Sequence, residues 1–332
     1  MRAVFTSEPG GMERTRLQEV PEPNRGGPRV LVELRAAALN PADRFLIDGQ
    51  YPGGPKPPFI VGRDASGVVL ESDRPDQFPV GCRVLTLQSS ATDLTNGTLC
   101  ERQQFSPDVL TQIPAGWSFA EAAAAPLVCQ TAWQALTCAG ELPSDSVVLV
   151  TGAGGGVGLA AVQLALAMKL RVVGLTRFED KRKRLQELGV SHVFAPDAEG
   201  LKKHILTAVG TAGVNLVVET VGGSLLTTAI HLLAHGGCVA SLGVMAGVEA
   251  MLPIPSLMFK QASVRGILVS GCSPTDARDQ WTRIVSLLNQ DGRRLHVEAE
   301  IPLSDYERAF ARLAGSPFGK IVINISRNGE GT

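Results

Sequence analysis

The 332-residue chain contains no apolar run of about 18 residues or more, so no segment reads as a membrane-spanning helix. Aromatic residues are scarce, at 5%, and no basic stripe is interleaved with them. With a formal net charge of −1, the chain shows no electrostatic footprint for a nucleic acid. Met1-Arg2-Ala3-Val4-Phe5 enters a strand pattern without the apolar core of a signal peptide. The six cysteines (Cys82, Cys100, Cys129, Cys138, Cys238 and Cys272) include no C-x-x-C pair. That scatter suits thiols in a reducing compartment better than a disulfide framework. Histidines are equally dispersed. His231 and His235 stand i, i+4 on a helix predicted over 225–235, but no third ligand is near, and His235-Gly236-Gly237 reads as a helix C-terminus. The expectation is a cytoplasmic protein that binds a small molecule, with no metal, membrane or nucleic-acid partner.

What is present is concentrated in Val147-Val148-Leu149-Val150-Thr151-Gly152-Ala153-Gly154-Gly155-Gly156-Val157-Gly158. An apolar, β-branched run turns at once into glycines and then into a helical stretch, Leu159-Ala160-Ala161-Val162-Gln163-Leu164-Ala165. A buried strand that bends sharply into a helix leaves the first helical N–H groups pointing at the turn. Those donors and the helix dipole favour a pyrophosphate, and small residues let the backbone approach it. The spacing is Ala153-x-Gly-x-x-Gly, with alanine at the first position of the usual glycine fingerprint. A second strand over 171–176 completes the setting, which assigns Gly154, Gly155, Gly156, Val157 and Gly158 to dinucleotide binding.

The rest of the chain organises around this turn. Residues 1–120 are β-rich, with strands predicted at 2–6, 29–38, 65–71 and 82–87. Turns such as Gly26-Gly27-Pro28 and Tyr51-Pro52-Gly53-Gly54-Pro55 separate them. Residues 118–139 are alanine-rich and helical, interrupted at Pro126. Strands at 147–151, 171–176, 192–195, 214–219, 237–243 and 264–269 follow, and helices separate the first five. This βαβ pattern requires a parallel sheet covered on both faces. The tail from 271 reads helix, strand, helix, strand and is too short for its own core. The predicted division is therefore 1–120 as a β-rich catalytic domain, 121–270 as an inserted nucleotide domain, and 271–332 returning to the first.

In NAD-binding folds an acid closes the second strand and holds the ribose 2′-hydroxyl. Here Thr176 stands there, followed by Arg177, with Lys181 one helical turn on. One hydroxyl and two cations suit a 2′-phosphate. A charge-assisted bond is worth roughly 1.5–3 kcal/mol, and tenfold in affinity needs about 1.4 kcal/mol. The cofactor expected is NADP(H).

Asn40-Pro41-Ala42-Asp43, Gly62-Arg63-Asp64-Ala65-Ser66-Gly67-Val68-Val69, Val80-Gly81-Cys82-Arg83-Val84, Thr131-Ala132-Trp133 and the glycine turn occur in one order and spacing. In these motifs the chain resembles the medium-chain dehydrogenase/reductase superfamily over essentially its whole length. It is closer to the quinone-oxidoreductase (zeta-crystallin-like) branch than to the alcohol dehydrogenases. The resemblance implies an α/β protein with a GroES-like β-rich catalytic domain, a Rossmann doubly wound parallel sheet, and a homodimer.

Zinc-dependent members use Cys, His and Cys as catalytic ligands; the matching positions here are Asn40, Arg63 and Leu127. An amide, a guanidinium and an aliphatic chain do not bind Zn²⁺ as thiolate or imidazole would. The four-cysteine lobe is absent too, since residues 89–99 hold no cysteine and Cys100 stands alone. Cys82 departs from the aspartate common at its position and is given no role. Without a Lewis acid to stabilise an alkoxide, hydride addition to a quinone or to the β-carbon of an electron-poor C=C is the easier reaction. There the charge spreads into a hydroquinone or enolate.

By the same resemblance Asn40, Phe45 and Tyr51 line the substrate side. Asn40 is a donor to a substrate oxygen or a turn residue before Pro41. Tyr51 is a donor or general acid, or a packed aromatic loop tip, and Phe45 is a wall. Thr131 matches a position beside the nicotinamide or starts a helix. Thr220, Leu242 and Gly243 end the fourth and fifth strands, where a parallel sheet meets its cofactor. Lys320, in Gly319-Lys320-Ile321-Val322, reaches a cofactor phosphate or is a strand-edge cation. Arg63 either supplies positive charge to the developing enolate or pairs with Asp43 or Asp64 to tie loops together. The competing functions are an NADP-dependent alcohol or aldehyde reductase, an enoyl-thioester reductase, and a non-enzymatic NADPH-binding protein.

Overall fold

The computed structural model describes residues 1–23, 29–94 and 97–325; the predicted turn at Gly26-Gly27-Pro28 lies outside them. The strands in chain order are β1 (Arg2–Thr6), β2 (Thr15–Glu19), β3 (Val30–Ala38), β4 (Phe59–Ile60), β5 (Asp64–Ser72), β6 (Arg83–Thr86), β7 (Arg102–Phe105), β8 (Leu110–Gln112), β9 (Val147–Val150), β10 (Arg171–Leu175), β11 (His192–Phe194), β12 (Val214–Glu219), β13 (Leu233–Ser241), β14 (Ser263–Gly266), β15 (Val297–Pro302) and β16 (Lys320–Asn324). The helices are α1 (Pro41–Ile47), α2 (Phe119–Ala124), α3 (Pro126–Thr137), α4 (Gly156–Ala167), α5 (Glu179–Glu187), α6 (Leu201–Val209), α7 (Ser224–Leu232), α8 (Ile254–Lys260), α9 (Pro274–Gln290) and α10 (Tyr306–Ala314). They form two units, one of Met1–Leu127, Ser270–Trp281 and Leu295–Thr332, the other of Val128–Val269 and Thr282–Arg294.

The first unit is built on alternation. Along β3, Val30, Val32 and Leu34 are buried while Leu31, Glu33 and Arg35 are half-buried, as a pleated strand with one core face requires. Its larger sheet runs β15-β16-β3-β5-β6-β8, with β7 also on β3; a smaller one runs β2-β1-β4. Val4, Val32, Leu34, Phe59, Val69, Leu99, Phe310 and Ile321 belong to its core. The last strand, β16, inserts between β15 and β3, with Val322 opposite Ala38. That register sets Lys320 beside Leu39 and Asn40.

The division falls at Leu127 rather than at 120 because α2 packs its alanines on this sheet. Ala120, Ala123 and Ala124 meet Ala36, Ala38 and Val322. Residues 282–294 go with the second unit, where Gln163 Nε2 donates to Arg294 O at 3.0 Å.

The second unit is a six-stranded, wholly parallel sheet in the order β11-β10-β9-β12-β13-β14. Every residue of β9 is buried, the continuous apolar run of a strand covered on both faces. Strand order reverses about β9, which has β10 on one side and β12 on the other. The crevice outside the carboxyl ends at such a point is where open α/β sheets bind ligands. One boundary differs from the sequence reading. α7 stops at Leu232, and β13 begins at Leu233 instead of 237. The register jumps from Leu233↔Val214 to Cys238↔Leu216, so His235-Gly236-Gly237 forms a bulge rather than a helix end, with Gly236 at φ +71°. The predicted His231/His235 helical pair therefore does not exist.

Candidate active site

The glycine turn follows from local sterics. Gly152 takes φ +56°, which side chains disfavour, and Ala153 N–H donates to Leu175 O at 3.0 Å. Gly155 is the N-cap of α4 and gives no side-chain cap, so the first-turn N–H groups retain the donor capacity of any helix start. At Gly158 a Cβ would lie 2.2 Å from Gly152 O, which leaves no room for a methyl. Ala153, where the fingerprint has glycine, is accommodated from the other side. A Cβ on Gly174 would be 3.3 Å from the Ala153 methyl, so the missing side chain at Gly174 makes that space.

The carboxyl ends of β9, β10, β12 and β13 bring most of the predicted cofactor residues to one edge of the sheet. Thr176 is buried at the end of β10, its N–H on Phe194 O at 3.0 Å. The Arg177 guanidinium lies 5.6 Å from the Phe178 ring centre, and Lys181 Nζ lies 4.8 Å from the same centre. Phe178, which the sequence reading passed over, thus holds both cations beside Thr176. Thr220 donates through Oγ1 to Thr151 O at 2.7 Å and through N–H to Thr151 Oγ1 at 2.8 Å. The N–H groups of Leu242 and Gly243 both reach Glu219 O. A Cβ on Gly243 would be 1.9 Å from Thr220 C, so this crossing of two strand ends admits only glycine. Thr131 is buried on α3.

Glu219 organises this edge and was missed by the sequence reading. Wholly buried, its carboxylate accepts from Thr151 Oγ1 at 3.1 Å and from the N–H groups of Val221 and Gly222 at 2.9 Å. The available signal was an acid ending an apolar strand just before Gly222-Gly223.

In the first unit, α1 places Asn40 at its N-cap, with the Asn40 N–H on Asp43 Oδ2 at 2.7 Å. The Asn40 side chain is fully committed. Nδ2 donates to Asp64 Oδ2 at 2.9 Å and to Ala38 O at 3.3 Å, and Oδ1 accepts from Lys320 Nζ at 2.6 Å. It has no amide hydrogen to spare for a substrate oxygen. Lys320 is not at a strand edge: it is 3% exposed on the inner strand β16. Its ammonium also donates to Leu39 O at 2.8 Å and stands 3.8 Å from Asp64 Oδ2, rather than extending toward a phosphate.

Arg63, 6% exposed, directs its hydrogen bonds to neither carboxylate. Nη2 donates to Gln88 Oε1 at 2.9 Å and Nη1 to the Tyr51 hydroxyl at 3.2 Å, with the guanidinium 5.7 Å from the Tyr51 ring centre. Gln88, fully buried, donates back through Nε2 to Arg63 O at 3.2 Å. A guanidinium only donates and a carbonyl only accepts, so these contacts fix the orientation of the Gln88 amide. Tyr51 is anchored by its N–H on Phe45 O at 3.1 Å. Phe45 itself is half-buried. Among the described residues, Arg63 Nε and Asp43 Oδ1 are buried without a hydrogen-bond partner.

Burial pushes the Asp43 carboxyl up to about 7, against the Asn40 N–H and the charge of Arg63, which pull it down. Burial also raises Asp64, opposed first by Lys320 and then by Asn40 and Arg63. From an ordinary value of 3.8, the folded protein holds the Asp43 proton between about pH 4 and 7 while the unfolded chain has lost it. Stability therefore falls as pH rises through that window, by about 4 kcal/mol in all. Asp43→Asn is expected to remove most of this slope. Denaturant titrations at pH 5 and pH 8 check it: wild type should weaken between the two, and the variant should weaken less, keeping only the part that the raised Asp64 carboxyl contributes.

The three positions that match zinc ligands meet at Asp64. Asn40 and the backbone of Leu127 hydrogen-bond its carboxyl, and the Arg63 charge acts on it. An amide, a guanidinium and a leucine offer no thiolate or imidazole, and the Lys320 ammonium beside Asp64 would repel a divalent ion. Among the described residues, no group of three or more His, Cys, Asp or Glu is placed to hold a metal. The residues present do not fit a catalytic zinc.

Two family models match the chain. The "alcohol dehydrogenase GroES-like domain" model matches residues 26–134, and the "zinc-binding dehydrogenase" model matches 156–290. A quinone oxidoreductase of Lama guanicoe is 28% identical over 97% of this chain and 97% of its own. One of Pongo abelii is 30% identical over 81% of this chain and 80% of its own. The crystal structure of Escherichia coli quinone oxidoreductase complexed with NADPH superposes with a TM-score of 0.86 over 98% of this chain and 100% of that one, at 24% identity. The chain is an oxidoreductase of the medium-chain dehydrogenase/reductase superfamily and belongs to its quinone oxidoreductase branch.

Proposed function

We propose that this chain is a zinc-independent, NADPH-dependent reductase that delivers hydride to a quinone or an α,β-unsaturated carbonyl compound. The observation that carries the reading is the donor set around Asp64. With an amide, a guanidinium and a lysine ammonium where a metal would need thiolates or imidazole, the first unit is built for a reaction that needs no alkoxide-stabilising ion. The preference for NADPH rests on Thr176, Arg177 and Lys181 gathered at Phe178. It is supported by the NADPH held by the Escherichia coli relative.

When bound, the cofactor supplies the hydride. The first-turn N–H groups of α4 hold the pyrophosphate, while Arg177 and Lys181 take the 2′-phosphate. In the first unit Arg63 donates to the Tyr51 oxygen, so the hydroxyl hydrogen is turned away from the guanidinium and left for a substrate oxygen. Tyr51 is thereby the donor to the forming enolate or hydroquinone, and Arg63 places positive charge behind it. Asn40 and Lys320 hold Asp64 in place and do not touch the substrate.

Arg177→Ala is expected to weaken NADPH binding about tenfold and to leave NADH nearly unchanged; calorimetric titration with both cofactors checks this. The reaction itself is tested by an NADPH turnover screen against quinones, enones, enoyl thioesters and aldehydes, with and without a chelator. Turnover of quinones or enones that survives chelation supports the reading. Turnover confined to aldehydes, or abolished by the chelator, overturns it.

The reading includes a homodimer in a reducing compartment. β14 is the edge strand of its sheet, and Met245, Val248, Met251, Ile254, Met258 and Phe259 on the chain leading to it are all more than half exposed. An apolar face beside an open strand edge suits a second copy of the chain. None of the six cysteines is in a disulfide, and among the described residues no helix is long and apolar enough to cross a membrane.

A further inference from the structure

Outside both sites, two thiols of the second unit touch. Cys138 Sγ, in the turn after α3, lies 3.9 Å from Cys238 Sγ on β13, though the residues are 100 apart in sequence. Bonding would need the sulfurs to approach to about 2 Å. Cys238 is held in mid-sheet, between Leu216 of β12 and Ser263 of β14. Cys138 follows the last helical turn and is half-exposed, so it is the sulfur that solutes reach and the one able to move. The surroundings favour a thiolate at Cys238 and keep Cys138 protonated, because the Cys138 thiol donates to Cys238 and burial adds to its rise. Arg265 donates from its guanidinium to Cys138 O, and its charge acts on both sulfurs. The Cys238 thiol is lowered to about 6 by the hydrogen bond from Cys138 and, after the opposing effect of burial, by that from Ser263. Cys82 and Cys100 have no such partner thiol: burial alone pushes Cys82 up, and burial chiefly pushes Cys100 up.

We propose that Cys138 and Cys238 form a reversible dithiol–disulfide site that reacts with peroxides. The Cys238 thiolate draws off the Cys138 proton as Cys138 Sγ attacks one peroxide oxygen and the O–O bond breaks. That proton then leaves with the departing hydroxide as water, giving a sulfenic acid and restoring the Cys238 thiolate. Cys238 Sγ then attacks the Cys138 sulfur as the thiolate, the S–S bond forms, and hydroxide departs and takes a proton from solvent as a second water. Two thiols are oxidised by two electrons and one peroxide is reduced. The product ties α3, which carries Thr131, to β13, which runs up to Leu242. It also closes a 100-residue loop, so the oxidised protein melts at a higher temperature.

The test treats the reduced full-length protein with hydrogen peroxide in the absence of other reductant, blocks remaining thiols with an alkylating agent under denaturing conditions, and maps peptides by mass. The expected result is a linked 138–238 peptide pair lighter by about 2 Da than the two reduced peptides. Two of the six thiols are then lost to alkylation and regained with dithiothreitol. Cys138→Ser abolishes the linkage, and Arg265→Gln slows its formation several-fold. The proposal is overturned if peroxide oxidises Cys82 or Cys272 while Cys138 and Cys238 remain alkylatable. It is also overturned if the new crosslink joins two chains.

Discussion

Lys320→Met is expected to destabilise the protein by about 3–5 kcal/mol at pH 8, the largest single loss of any substitution considered. The methionine fills the space but removes the donor to Leu39 O and Asn40 Oδ1 and the charge beside Asp64. What remains is a fully buried carboxylate opposed in its desolvation by Asn40, Leu127 and Arg63, with a long contact from Gln88 Nε2 at 3.5 Å. Lys320 is the strongest influence that lowers Asp64, so its loss raises that carboxyl further. The defect is then greatest above the raised value and shrinks as pH falls and the carboxyl takes a proton. Urea titrations of variant and wild type at pH 8 and pH 5 measure this. A loss under 1 kcal/mol at pH 8, or one that grows toward pH 5, contradicts the placement of the ammonium.

Tyr51→Phe is expected to lower kcat by about 100-fold or more while leaving the melting temperature almost unchanged, because it deletes one half-exposed hydroxyl. Arg63→Met should fall similarly in kcat, and the double variant should be little worse than either, since the two act as one unit. Gln88→Leu removes the acceptor that fixes Arg63 and belongs between wild type and Arg63→Met. Steady-state kinetics with thermal melts on wild type, the two single variants and the double give the cycle, with Gln88→Leu measured beside them. Multiplied losses in the double variant would mean that Arg63 acts on the substrate directly rather than through Tyr51. An unchanged kcat in Tyr51→Phe would remove Tyr51 from the chemistry.

Much of the fold was legible because its determinants are local. A β-branched run, a glycine turn and an alanine-rich helix lie within twenty-odd consecutive residues, and the Thr-Arg pair that ends β10 follows soon after. The contacts that define the first-unit cluster are not local. Lys320 meets Asn40 across 280 residues and Gln88 meets Arg63 across 25, so no spacing pattern announces either. The resemblance made Asn40 a donor to substrate or a turn residue before Pro41; only the folded β3 and β5 show its amide hydrogens taken by Ala38 O and Asp64 Oδ2. Glu219 drew no reading from the sequence, whereas its carboxylate joins the ends of β9 and β12. The α7–β13 boundary was misplaced because Gly236-Gly237 suits a helix terminus and a β-bulge equally well. Pairing with β12 decides for the bulge.

The central claim is that hydride passes from NADPH to an electron-poor acceptor without a metal. A single-turnover reaction of the protein with deuterium-labelled NADPH and a quinone or enone, run in the presence of chelator, tests it most directly. The account predicts oxidation of the bound cofactor, and with an enone acceptor, deuterium on the β-carbon of the product. Cofactor that stays reduced with every acceptor, or oxidation that stops when chelator is added, would contradict it.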